Sequence, residues 1–314
     1  MSDTSVTTCY RHPQRETYVR CTRCDRYICA DCMREAAVGH QCVECVREGN
    51  RTVRQARTVF GASVSQPPVL TFVLIGVNLL AYLAEIAMPS ALDRFDMIGL
   101  TLIGPDGAQY VYEGFEGDGY RLAGVAAGEW YRLFTGAFLH LPPSTGFGLL
   151  HIGFNMMWLW TLGRQVEQQL GWARYLALYL LSALGASVLV LLLDPLSSVV
   201  GASGAVFGLA VAAYVIGRRV GHGAVDNRLM IFFLVWLVAT AGFASWQGHL
   251  GGLLAGGALA LAYAYTPAER RLVLHAAAVA GLALVLTGLV VAKSVELRDP
   301  AAAVERVVGH GFDD

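Results

Sequence analysis

Four side chains in the apolar part of the chain are of types that do chemistry together: Ser203, His249, His151 and Asn155. Ser203 sits in Gly201-Ala-Ser203-Gly204-Ala-Val-Phe-Gly208, and His249 in Gly248-His249-Leu-Gly-Gly252. A serine hydroxyl within hydrogen-bond reach of an imidazole is a nucleophile with its general base. His151 and Asn155 are spaced i,i+4, so on a helix they share a face. Together with the Ser203 backbone N–H they can donate hydrogen bonds to a developing oxyanion. Asp194, the nearest carboxylate, reads as a loop residue, so a two-residue Ser–His dyad is the simpler expectation. Taken singly, each residue has a blander reading. A serine in a membrane helix bonds back to its own helix, and a lone histidine packs between helices. The Gly-x-Ser-x-Gly elbow of soluble hydrolases does not occur at Ser203, where the spacing is Gly-Ala-Ser-Gly. The joint pattern is what points to chemistry.

A second constellation lies near the N-terminus. All seven cysteines fall between Cys9 and Cys45. With His12 they form four pairs: Cys9-Tyr-Arg-His12, Cys21-Thr-Arg-Cys24, Cys29-Ala-Asp-Cys32 and Cys42-Val-Glu-Cys45. Two intervening residues let one tight turn aim both donors at a tetrahedral ion. Eight donors suit two zinc ions. With alternating pairs, Cys9, His12, Cys29 and Cys32 would bind one ion, and Cys21, Cys24, Cys42 and Cys45 the other. His40 is a ninth candidate that could replace a cysteine. An odd cysteine count and the paired turns argue against a disulfide cluster. About 40 residues bury too little to fold alone, so metal is expected to supply the folding energy. Reduced thiols, and a polar Met1–Cys9 without a signal-peptide apolar stretch, point to a cytosolic head.

The elements that must position these residues follow from composition. Of 314 residues, 55% are hydrophobic and 15% charged, with mean hydropathy +0.49. Soluble domains carry about 25% charged residues, so the chain is too apolar for one soluble globule. A net charge of −1 gives no case for nucleic-acid binding. Lys293 is the only lysine, in an Ala/Gly/Leu/Val-rich chain, a usage that hints at a GC-rich bacterial genome. The reading divides the chain into a zinc-binding domain (1–46), a basic linker (47–68), a six-helix core (69–266) and a seventh span with a tail (267–314). Seven apolar spans are expected: Val69–Met88, Phe147–Gln165, Tyr175–Leu193, Val200–Gly217, Leu229–Phe243, Gly248–Tyr265 and Leu272–Ala292. The expected fold is an all-α polytopic membrane protein with a small metal-binding head.

Positive charge orients the spans. Arg47, Arg51, Arg54 and Arg57 precede the first span. Arg164 and Arg174 flank the second link, Arg218, Arg219 and Arg228 the fourth, and Arg270 and Arg271 the sixth. These are alternate links, so they share the cytoplasmic side with the head. The long loop from Pro89 to Gly146 is acidic (Asp93, Asp96, Asp106, Glu113, Glu116, Asp118, Glu129) and lies outside, as does the C-terminal tail. Spans two, four and six then all run inward, and each of the four polar residues sits near the start of its span. They are expected at one depth, in the outer part of the bilayer, where polar groups are costly and usually functional. Gly204 with Gly208, and Gly252 with Gly256, are small-xxx-small pairs that let helices approach closely. Asn78, Glu85 and His275 are further polar residues in spans, for which the sequence offers no partner.

These motifs resemble the rhomboid family of intramembrane serine proteases. The resemblance runs from about Glu129 to Tyr265. It rests on Gly-Ala-Ser203-Gly, Gly-His249-Leu-Gly-Gly, His151-x-x-x-Asn155, Glu129-Trp-Tyr-Arg132 and Gly163-Arg-Gln-Val-Glu167. It implies a six-helix core with one extra C-terminal span, Ser203 as nucleophile, His249 as base, and an oxyanion hole of His151, Asn155 and the Ser203 amide. It also implies that Trp130 and Arg132 structure the outer loop, and that Phe207 packs near the catalytic histidine. The chain departs from the family pattern at Gly248, where alanine is common, and in the added Leu141-Pro-Pro-Ser-Thr-Gly146. The head resembles a B-box-type zinc finger. The implied substrates are single-span or other transmembrane proteins in the lipid bilayer, cut without a catalytic cofactor. The head would offer a surface to a substrate tail, a regulator or a partner chain. The competing reading is a catalytically silent rhomboid-like binding or escort protein.

Overall fold

The computed structural model of the chain describes residues 7–52, 56–64, 67–112, 117–221, 227–242 and 244–299. Arg54, Glu113, Glu116, Phe243 and the tail beyond Asp299, to which the sequence reading gave places, lie outside these residues. The chain forms two compact units, Met1–Ala56 and Arg57–Asp314.

The first unit is built on two antiparallel ribbons. Strand β1 (Thr8–Cys9) pairs with β2 (His12–Glu16), and β3 (Met33–Glu35) with β4 (His40–Cys42). Helix α1 (Val43–Thr52) follows, so this unit runs on into the stretch expected as linker. Its buried core is Ile28 and the cysteines, with little other apolar mass.

In the second unit, helices occupy all seven expected segments: α2 (Val69–Ala87), α5 (Gly148–Leu170), α6 (Trp172–Leu193), α7 (Ser203–Val220), α8 (Asn227–Ala239), α9 (Trp246–Tyr265) and α10 (Arg271–Arg298). Among the described residues, four stretches are long and apolar enough to cross a membrane: Val69–Ala87, Trp172–Leu193, Ser203–Val220 and Ala268–Arg298. Helix α5 carries His, Asn, Arg and Glu, α9 is glycine-rich, and α8 has only 13 residues. That is why hydropathy alone does not select these three. The expected second span is extended, because α5 continues through Glu167 until Gly171, at φ +80°, ends it and starts α6.

The long loop after α2 is more ordered than an all-α reading foresees. It holds the short helices α3 (Ser90–Phe95) and α4 (Arg132–Thr135). Between them lies a three-stranded antiparallel sheet, with β5 (Thr101–Ile103) flanked by β6 (Gln109–Tyr110) and β7 (Arg121–Ala123). Buried Arg132 anchors this loop. Its guanidinium meets the Asp96 carboxylate, the Glu129 carboxylate at 2.7 Å, and the carbonyls of Asp93 and Asp96 at 3.0 and 3.1 Å. These bonds come from Nε and Nη1, and partners of this kind, two of them carboxylates, are what make a buried guanidinium tolerable. Trp130 is largely exposed.

Candidate active site and metal centres

The helices meet where glycine removes the side chains. A Cβ on Gly252 would collide with the Gly204 carbonyl, and one on Gly256 would stand 2.5 Å from the Gly208 Cα. On an adjacent face of α9, a Cβ on Gly185 of α6 would lie 2.5 Å from Ala255, while Cβ atoms on Gly204 and Gly208 would meet Ala186 and Ser182 of α6. The order of these contacts makes α7 and α9 parallel to each other and antiparallel to α6. Backbones this close transmit their positions to the side chains they carry.

Helix α7 starts at Ser203. The loop before it is held by Met97 and Val199, which exchange backbone hydrogen bonds, and by the Gly201 N–H, which donates to the Gly136 carbonyl at 2.9 Å. Gly201 has φ +129°, a conformation that L side chains rarely adopt, and a Cβ there would lie 2.8 Å from His151 Nε2. Residue 201 therefore has to be glycine for two independent reasons.

Helix α9 starts under the cap of Ser245, whose hydroxyl accepts from the Gly248 N–H at 3.2 Å. His249, on its first turn, is brought to Ser203: Nε2 and Oγ are 3.0 Å apart. The imidazole lies flat on Phe207, with ring centres 4.4 Å apart and planes at 14°. That contact leaves the ring little freedom to rotate.

His151 and Asn155 lie on the facing side, on α5. The Leu141 N–H donates to His151 Nδ1 at 3.2 Å. A ring nitrogen that accepts carries no proton, so the neutral ring holds its proton on Nε2, the atom beside Gly201. Asn155 donates through Nδ2 to the His151 carbonyl at 2.9 Å. Its amide has a second hydrogen. Ser203, His249, His151 and Asn155 all line one cavity of about 250 Å³, walled by apolar groups such as Phe154 and Trp236. Among the described residues no carboxylate bonds to His249, and its Nδ1 is buried without a partner.

Three polar residues without sequence-level partners acquire them. The His140 N–H donates to both Glu85 carboxyl oxygens, at 3.2 and 3.1 Å. His275 Nδ1 accepts from Arg174 Nε at 2.9 Å, which ties α10 to α6. Asn78 donates to the Leu74 carbonyl of its own helix. Glu167 accepts from the backbone N–H groups of Leu70 and Thr71, at 2.9 and 2.8 Å, and so caps α2. Sequence marks such carboxylates as unusual at membrane depth. It cannot say which peptide 55 or 97 residues away they hold.

The first unit holds two donor clusters: Cys9, His12, Cys29 and Cys32, and separately Cys21, Cys24, Cys42 and Cys45. His12 Nδ1 lies 3.2, 3.5 and 3.8 Å from the sulfurs of Cys29, Cys32 and Cys9, and the Cys24 and Cys42 sulfurs are 3.8 Å apart. A zinc–sulfur bond of about 2.3 Å gives a tetrahedron edge of about 3.8 Å, so these spacings suit a metal ion. His40 belongs to neither cluster; its carbonyl accepts from the Thr22 N–H at 2.9 Å. Burial opposes charge on Cys9 and Cys21, but backbone N–H groups aimed at their sulfurs prevail and hold both thiols at about 6. Burial, then the neighbouring thiols, pushes Cys32 up to about 11 and Cys45 to about 12. Without a cation each cluster thus resists full ionisation, which a bound metal would drive. Arg26 reinforces the second cluster, with Nε 3.3 Å from the Cys24 sulfur while Nη2 holds Glu44 at 2.6 Å.

Comparison with known proteins bears on the helical unit. Residues 127–266 match the family described as Rhomboid domain. The chain is 34% identical over 139 residues to Rhomboid protease GluP of Bacillus subtilis (strain 168), covering 42% of this chain and 26% of that protein. It is 33% identical over 153 residues to Rhomboid protease GlpG of Salmonella newport (strain SL254), covering 46% of this chain and 51% of the relative. GlpG of Salmonella typhi matches equally. The matched segment thus spans about half the length of the GlpG relatives and about a quarter of GluP. These findings support the rhomboid family. With the apolar helices, they make this a membrane-embedded, mostly helical protein.

Proposed function

We propose that this chain is an intramembrane serine protease that cleaves transmembrane segments with a Ser203–His249 dyad, and that its N-terminal unit is a B-box-like domain with two structural zinc ions. One observation carries the proteolytic reading: Ser203 Oγ and His249 Nε2, from different helices, lie 3.0 Å apart at a cavity that also contains His151 and Asn155.

His249 Nε2 accepts the hydroxyl proton as Ser203 Oγ attacks the scissile carbonyl carbon. The oxyanion is met by the Ser203 N–H, one of the first-turn donors that a helix cannot satisfy internally. His151 Nε2–H and the second Asn155 amide hydrogen complete the donor set. His249 then protonates the leaving amine, and water hydrolyses the acyl-enzyme. A substrate helix enters beside the short α8 and unwinds locally, because a helix hides its carbonyls in hydrogen bonds. The arginine-bearing links support an orientation with the N-terminal domain in the cytoplasm and the dyad toward the outer face of the membrane.

Cleavage of a labelled single-span substrate by purified protein in detergent tests the assignment. The wild type is expected to cut, with turnover lost in Ser203→Ala and His249→Ala. Cleavage undiminished in Ser203→Ala would remove the nucleophile, and no cleavage by any form would leave a binding protein.

A further inference from the structure

Glu85 stands on α2, is 5% exposed, and among the described residues pairs with no cationic side chain. A carboxyl group buried among apolar helices is costly. Here both of its oxygens face one peptide group, the His140 N–H, at 3.2 and 3.1 Å. His140 is fully buried. The next N–H along the chain, that of Leu141, donates to His151 Nδ1 at 3.2 Å. Consecutive N–H groups of one loop segment are thus held by Glu85 on α2 and by His151 on α5.

We propose that Glu85 is a positioning residue for the oxyanion site: by clamping the peptide at His140, it aims the Leu141 N–H at His151 Nδ1 and fixes the tautomer that presents Nε2–H beside Ser203. This rests on the proteolytic reading of the site. The chemistry is directional. If Nδ1 loses its donor, the ring can place its proton there and turn a lone pair toward the oxyanion, changing attraction into repulsion. A half-turn of the ring exchanges Nδ1 with Cδ2, so it cannot bring an Nδ1–H to the place that Nε2–H holds beside Gly201. An apolar residue at 85 would leave the His140 N–H unsatisfied and the loop segment free to shift. Glutamine keeps one accepting oxygen.

The test combines kinetics with nitrogen-15 NMR of histidine-labelled full-length protein in detergent, His151 being assigned by its loss in His151→Gln. The wild type is expected to carry the His151 proton on Nε2. Glu85→Leu is expected to lower kcat by about ten- to a hundred-fold with KM within about twofold, and to move part of the His151 population to the Nδ1–H tautomer. Glu85→Gln is expected to restore both. A merely structural Glu85 would lower the amount of folded protein without changing the tautomer. Unchanged kcat and tautomer in Glu85→Leu, or an Nδ1 proton on wild-type His151, would overturn the proposal. If Glu85→Leu fails to fold, the wild-type tautomer and the Glu85→Gln pair decide. An inactive wild type with Nε2–H on His151 would count against the proteolytic reading alone, since the tautomer is read without turnover.

Discussion

Gly201 shows how tightly single atoms are held at this site. Its φ of +129° and the closeness of His151 leave no place for a methyl group. Gly201→Ala is therefore expected to displace His151 or the loop and to lower turnover by about a hundred-fold, the effect of losing one oxyanion donor. Turnover of the labelled substrate measures this, and a wild-type rate would mean that His151 is not needed where it stands. Phe207 acts by shape. It holds the His249 ring flat from below, a job a tyrosine ring does equally. Phe207→Tyr is expected to leave kcat within about threefold of wild type, since the stacked face is retained; a large loss in the same assay would show that the pocket around the ring has no room for a hydroxyl.

At the scale of elements, contact between α7 and α9 decides whether serine and histidine meet. A Cβ on Gly252 would run into the Gly204 carbonyl, one residue beyond Ser203. Overpacking of this kind costs about 1–3 kcal/mol. Gly252→Ala is expected to lower thermal stability in detergent and, by parting the helices, turnover as well. Gly281 on α10 is the internal control, with nothing within 4 Å of a Cβ built there. Gly281→Ala is expected to be neutral or to stabilise by up to about 1 kcal/mol through helix propensity. Equal melting shifts in the two variants would refute close packing as the cause. At the far end of α5, Glu167 satisfies the first N–H groups of α2, so loss of that carboxylate uncaps a helix that also carries Glu85.

For the molecule as a whole, the two units depend on different forces. The helical unit buries a large apolar core, including Tyr175, Phe207 and Leu209. The first unit buries Ile28 and a set of sulfurs. With so little apolar burial, the proposed metal ligation would be its main stabilising term. Chelation of the full chain is expected to melt residues 7–52, seen as rapid proteolysis there, while cleavage of the single-span substrate persists. Complete loss of cleavage on chelation, regained with zinc, would refute that separation.

Much of this was legible in the residues themselves. The apolar segments, the ligand pairs of the head and the four polar residues at span starts are local patterns, and a helix or a tight turn turns such spacing directly into a shared face. The small sheet between α3 and α4 was not legible, because its strands are two or three residues long and carry no periodicity. Nor were the partners of Glu85, Glu167 and His275, each of which binds a group distant in sequence. Sequence determined which side chains could do chemistry and on which helix face each would stand. Only the tertiary structure decided that glycine-to-glycine contact sets Ser203 against His249, and which peptide N–H fixes the proton on His151. Hydrogen bonds reach about 3 Å, and no spacing rule carries that precision across helices.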